Sequence, residues 1–180
     1  MHTSIKPITE KYLLNFGLYY LKRFPTTKNN FKNILKQKIE LSCNTYKDQS
    51  LEKCYEMMEH LIENMVARGY LNDEMYLEAT LHSFKSKGLS SKMIHFKLAQ
   101  KGVCKKTIDE AIGPYGNEEE LVSMVRMMKR KKLGAYSKDT TPEDIQKHKG
   151  YLQRNGFDLD TIQKGIKLSI DECQEILDSF

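Results

Sequence analysis

The side chains best suited to chemistry in this chain are cations. Arg126, Lys129, Arg130, Lys131 and Lys132 crowd into one short run. Two smaller groups are Lys22 with Arg23, and Lys85 with Lys87. Fixed positive charge suits the recognition of carboxylate or phosphate; arginine does this through a planar fork and lysine as a point charge. A basic run at a helix end also favours the helix dipole, so each group has a purely structural reading as well. Their common feature is position. Each falls at the end of the first helix of a repeating unit.

Bond-making chemistry finds little support. There is no glycine-rich phosphate loop and no His-Glu-x-x-His motif. Glu118, Glu119 and Glu120 follow Asn117, and Glu143 and Asp144 follow Thr141. Both groups are ordinary first-turn acids that suit a helix N-terminus. Cys43, Cys54, Cys104 and Cys173 form no Cys-x-x-Cys pair and read as buried or incidental thiols. His2, His60, His82, His95 and His148 form no ligand-spaced pair. No metal, no cofactor and no enzymatic activity are expected. Tyr12, Tyr19, Tyr20, Tyr70, Tyr76, Tyr115, Tyr136 and Tyr151 mostly lie beside apolar residues and are expected to line the core rather than stack on bases.

The units that position the cations show as an internal repeat. Leu98, Gly102, Val103, Thr107, Ile108 and Ile112 recur as Leu152, Gly156, Phe157, Thr161, Ile162 and Ile166, at an offset of 54 residues. A fainter copy upstream, at an offset of 63, matches Leu21, Lys22, Thr27, Leu35 and Lys38 with Phe84, Lys85, Ser90, Leu98 and Lys101. Repetition of this size marks stacked supersecondary units. The pattern predicts three units of three helices. The first unit, 9–68, has helices near 9–24, 27–40 and 50–68. The second, 69–115, has them near 73–87, 90–101 and 105–113. The third, 116–168, has them near 117–132, 142–155 and 159–167. The tail, 169–180, carries a short helix near 170–178.

The pattern within each segment carries these assignments. Leu51, Cys54, Tyr55, Met58, Leu61, Ile62, Met65 and Val66 follow a spacing of three to four, and Gly69 closes that helix. Gly102 and Gly156 end the second helices of their units. Thr107 with Glu110, Ser169 with Glu172 and Asn117 with Glu120 have capping-box spacing. Thr141-Pro142 reads as an N-cap with proline in the first turn. Pro25 closes the first helix, and Gly113-Pro114-Tyr115-Gly116 reads as a linker. Residues 41–49 and 133–140 read as loops. No strand is expected.

Charge alternates along the chain. Residues 1–48 hold nine Lys/Arg against three Asp/Glu; 49–82 hold two against seven; 83–116 hold seven against two; 117–180 hold eleven against twelve. Alternating blocks suit a partner of mixed sign better than a uniform phosphate track. No apolar run is long enough to span a membrane, and the start lacks the apolar core of a secretory signal, so a cytoplasmic chain is expected.

Several segments resemble one family. Tyr70-Leu71-Asn72-Asp73-Glu74, Phe84-Lys85-Ser86-Lys87-Gly88-Leu89-Ser90, Ile94, Leu98 and Lys101-Gly102-Val103 look like the central unit of the RecX family. Leu18-Tyr19-Tyr20-Leu21-Lys22-Arg23-Phe24 resembles its opening helix, and Arg154-Asn155-Gly156-Phe157 the turn of its last unit. The resemblance spans about residues 9–168. It implies an all-α, elongated and curved body of three tandem three-helix repeats. It also implies a monomer that binds the helical groove of the RecA recombinase–DNA filament and typically inhibits ATP hydrolysis and strand exchange, with DNA phosphate contacts secondary. The central unit departs from the family, carrying Lys85, Lys87, Lys92, Lys97 and Lys101 where arginines are usual. With Lys22, Arg23, Arg126, Lys129, Arg130, Lys131, Lys132 and Arg154, these are the expected partner-binding residues. The rival function is a DNA- or RNA-binding module of helix-turn-helix-like triplets. A third is a helical adaptor for an unrelated partner.

Overall fold

A computed structural model describes residues 5–113, 116–138 and 141–180. The expectations for His2, Pro114, Tyr115, and the end of the 133–140 loop at Asp139 and Thr140, lie outside the described residues. Among those residues the regular structure is ten α-helices, one short 3-10 turn and no strand. In order these are α1 (Glu10–Leu21), α2 (Lys28–Thr45), α3 (Leu51–Ala67), α4 (Asp73–Ser86), α5 (Ser91–Gln100), α6 (Lys105–Ile112), α7 (Asn117–Lys131), the 3-10 turn (Gly134–Tyr136), α8 (Pro142–Arg154), α9 (Leu159–Gly165) and α10 (Ile170–Asp178). Three triplets therefore follow one another, with α10 appended.

By contact the chain divides into two compact units. One is Met1–Leu77 with Lys101–Val103; the other is Glu78–Gln100 with Cys104–Phe180. The first has a core of Ile8, Leu13, Phe31, Leu35, Ile39, Cys54, Met58, Leu61, Ile62, Met65 and Leu71. Phe31, Leu35 and Ile39 come from one face of α2 at four-residue spacing, and Cys54, Met58, Leu61, Ile62 and Met65 from one face of α3. Each such side chain gains roughly 1.5–3 kcal/mol on full burial. The second unit has a core of Met124, Met127, Met128, Leu133, Leu152, Phe157 and Ile162. Its repeat isoleucines Ile108 and Ile162 are buried as the repeat requires.

Most helix ends follow their sequence signals. Thr27, Ser50 and Thr141 accept from the amides of Asn30, Lys53 and Asp144. Ser169 and Glu172 form a reciprocal capping box. Gly69, Gly102 and Gly156 have left-handed backbones, at φ +74°, +76° and +91°.

Four local expectations are corrected. The α6 N-cap is Cys104 rather than Thr107, whose hydroxyl instead meets the Cys104 sulfur at 2.9 Å. The α7 N-cap is Gly116, with Glu119 reaching back to its amide, so Asn117 does not cap and Glu120 is released for another task. The loop expected at 41–49 is helical to Thr45, because α2 continues past Ile39 with Ser42 buried and its hydroxyl donating to the Lys6 carbonyl at 2.8 Å. The loop expected at 133–140 contains the 3-10 turn Gly134–Tyr136. The tyrosine expectation holds in part. Tyr12, Tyr20, Tyr136 and Tyr151 pack against the cores, whereas Tyr19 and Tyr70 are exposed.

Each compact unit contains one joint between successive triplets, built to the same plan. In the first unit the Thr27 hydroxyl donates to the Lys101 carbonyl at 2.6 Å, just ahead of Gly102. The Asp73 carboxylate, on α4, accepts from the Lys28 amide at 2.6 Å. In the second unit the Ser90 hydroxyl donates to the Asn155 carbonyl at 2.6 Å, just ahead of Gly156. The Glu120 carboxylate, on α7, accepts from the Ser91 amide at 3.1 Å. An N-cap hydroxyl and an acid from the next triplet thus satisfy the start of α2 and of α5, whose first amides have no partner within the helix.

Candidate functional site

The expected cations distribute between the two units. In the first unit Lys22 caps α1 and is exposed, as is Arg23. The Arg23 guanidinium lies 3.7 Å from the centre of the Tyr19 ring and reaches the Tyr19 carbonyl at 3.5 Å. Stacking on tyrosine holds the charge at the surface with part of its apolar plane covered. Lys101 is also exposed, and its carbonyl belongs to the joint with Thr27.

In the second unit the structure brings Lys85 and Arg126 together. The half-buried Arg126 donates to the Lys85 carbonyl at 3.5 Å, tying α7 to the last turn of α4. Lys87, Lys92, Lys97 and Arg154 are exposed. Lys92 runs beside Gly156, where an added Cβ would lie 3.2 Å from its own Cβ. Arg154 folds back over Gly150 on α8.

The cationic end of α7 is the strongest feature. Lys129, Arg130, Lys131 and Lys132 are all exposed. Lys129 donates to the Gln174 side chain of α10 at 3.1 Å. Lys132 adopts a left-handed backbone at φ +57°, the sole non-glycine residue to do so among those described. That residue closes α7 where glycine is usual, keeping a charge at the turn at a backbone cost of about 1–2 kcal/mol. Three glutamates in the first turn and three cations in the last complement the helix dipole at both ends.

The third helices of the triplets carry a different charge. On α3, Glu52, Glu56, Glu59 and Glu63 share a shallow open depression with Leu51, Tyr55 and His60. Glu59 pairs with Lys32. On α6 the exposed Lys105 and Lys106 are followed by exposed Asp109 and Glu110, and Lys106 approaches Glu110 at 3.9 Å. On α9 Lys164 shares the surface with Asp160.

Sequence reasoning missed the joint acids. Glu120 is buried, and burial raises its carboxyl above the ordinary carboxylate range while the Ser91 hydrogen bonds oppose that rise. Its first-turn position conceals a partner 29 residues away. The signal available was the alignment of Thr27-Lys28 with Ser90-Ser91 at the 63-residue offset.

Comparisons with known proteins agree with this architecture. Residues 118–166 match the family description "RecX, third three-helix domain". The chain is 29% identical over 164 residues to Regulatory protein RecX of Myxococcus xanthus, covering 89% of this chain and 87% of that protein. It is 30% identical over 120 residues to Regulatory protein RecX of Neisseria gonorrhoeae, covering 67% of this chain and 74% of that protein. The crystal structure of RecX from Lactobacillus salivarius superposes with a TM-score of 0.57 at 19% identity, covering 95% of this chain and 97% of that one. Both of these relatives bear the name of regulatory proteins. With its three helical triplets, the glycines that follow α5 and α8, and these relatives, the chain belongs to the RecX family of regulatory proteins.

Proposed function

We propose that this protein regulates the RecA recombinase in the cytoplasm. It binds the recombinase–DNA filament and inhibits ATP hydrolysis and strand exchange. The observation that carries the reading is the exposed cationic end of α7, Arg130, Lys131 and Lys132, on a chain of this family. Its role is to meet carboxylates of the partner, with nearby DNA phosphate as a secondary contact. The other exposed cations, Lys22, Arg23, Lys87, Lys92, Lys97, Lys101 and Arg154, extend the contact.

The charge of the third helices favours this reading over a helix-turn-helix-like nucleic-acid module. A recognition helix must enter a groove lined by phosphates. The exposed face of α3 presents four glutamates instead, and α6 and α9 offset their lysines with acids.

Co-sedimentation tests the proposal. The protein is expected to pellet with RecA filaments on single-stranded DNA at physiological salt, and to remain in the supernatant with the same DNA alone. Pelleting with bare DNA at that salt, and no increase on adding recombinase, would favour the nucleic-acid module.

A further inference from the structure

We infer that Cys43 and Cys54 form an oxidisable dithiol pair that closes into an intramolecular disulfide. The two sulfurs lie 3.9 Å apart on successive helices, Cys43 in the last turns of α2 and Cys54 in the first turn of α3. Eleven positions separate them in sequence, with no Cys-x-x-Cys pattern, so only the α2–α3 hairpin brings them together. Cys43 is half-buried and Cys54 is buried in the core of the first unit.

This asymmetry assigns the roles. A hydroperoxide reaches Cys43 first, and its thiolate attacks the peroxide oxygen to give the sulfenic acid, releasing hydroxide or alkoxide. The Cys54 sulfur then attacks the Cys43 sulfur, forming the S–S bond and expelling the sulfenic oxygen as water. Overall, two thiols and one hydroperoxide yield one disulfide, water and an alcohol, or two waters from hydrogen peroxide. Burial and the contact with Cys43 raise the Cys54 thiol to about 11, so Cys54 rests as a thiol and acts second. The bond staples α2 to α3 across residues 46–50 and makes the stability of this hairpin depend on redox state.

The test uses the full chain carrying Cys104→Ser, which removes the exposed thiol at the α6 N-cap. Treatment with hydrogen peroxide is expected to remove two hydrogens from the monomer mass and to yield a linked Cys43–Cys54 peptide in a non-reducing digest. The thermal midpoint should rise by roughly 5 °C or more, and dithiothreitol should reverse it. In Cys54→Ser the same treatment should leave a dimedone-reactive sulfenic acid on Cys43 and no change in midpoint. The inference is overturned if the native protein gives no linked peptide while Cys43 accumulates sulfinic acid. It is equally overturned if the link forms only between molecules, or lowers the midpoint.

Discussion

The two joints use the same hydrogen bonds in different surroundings. At the first, Asp73 is exposed, and an added Cβ on Gly102 would meet the side chain of Asn29, its amide nitrogen at 2.6 Å. A side chain of that kind can swing aside. At the second, Glu120 is buried, while the cap hydroxyls Thr27 and Ser90 are buried at both joints. Close by, Gly88 stands with its α-carbon against the α7 backbone: an added Cβ would clash with the Ser123 carbonyl oxygen and lie 2.5 Å from the Met127 amide nitrogen. The position 63 residues earlier holds Pro25. One plan can therefore be realised with an exposed acid, in a joint that yields, or with a buried acid, in a dry joint that does not.

Glycine substitutions should break this contrast most strongly. Gly88→Ala is expected to cost about 3 kcal/mol or more, because a left-handed backbone at φ +70° and contact with immovable backbone act together. Gly102→Ala should cost about 1–2 kcal/mol, with Gly102→Val worse because a β-branched side chain tolerates that backbone poorly. Urea unfolding of the three variants measures the difference. Equal costs for Gly88→Ala and Gly102→Ala would show that the second joint is as yielding as the first.

The joint acids sharpen the contrast with a smaller effect. Glutamine at position 120 can still accept from the Ser91 amide but carries no charge to bury. The folded state holds the Glu120 proton more tightly than the unfolded state does, so this group's contribution is most favourable at acid pH. It declines as pH rises from the ordinary carboxylate range through the raised one. Glu120→Gln is therefore expected to stay within about 1 kcal/mol of the parent, and to gain on it as pH is raised toward neutrality. A Glu120→Gln variant that loses ground as pH rises would contradict the dry joint.

Much of this was legible in the residues themselves. The three-to-four spacing of Cys54, Met58, Leu61, Ile62 and Met65 marks α3 because a core-facing helix needs an apolar stripe. Gly102 and Gly156 mark helix ends because left-handed backbone favours glycine. The extension of α2 to Thr45 was hidden, since its buried face there carries Ser42, a polar residue satisfied by the distant Lys6 carbonyl. The basic run at the end of α7 was visible, but not that Arg126 turns to the Lys85 carbonyl while Arg130 and Lys131 stay exposed. Asp73 and Glu120 resembled any first-turn acid, because their partners lie 45 and 29 residues away and only the tertiary fold supplies them.

We propose that the end of α7 acts on the recombinase. The direct measurement is inhibition of DNA-dependent ATP hydrolysis by RecA, titrated with the parent protein and with a variant carrying Lys129→Ala, Arg130→Ala, Lys131→Ala and Lys132→Gly. Glycine at position 132 suits the left-handed turn there, and Arg126 is left in place to hold α4 against α7. The variant should keep its helical circular dichroism and require about tenfold more protein, or more, for the same inhibition, as expected for the loss of one or two well-formed charge contacts. Unchanged inhibition by a folded variant would contradict the claim.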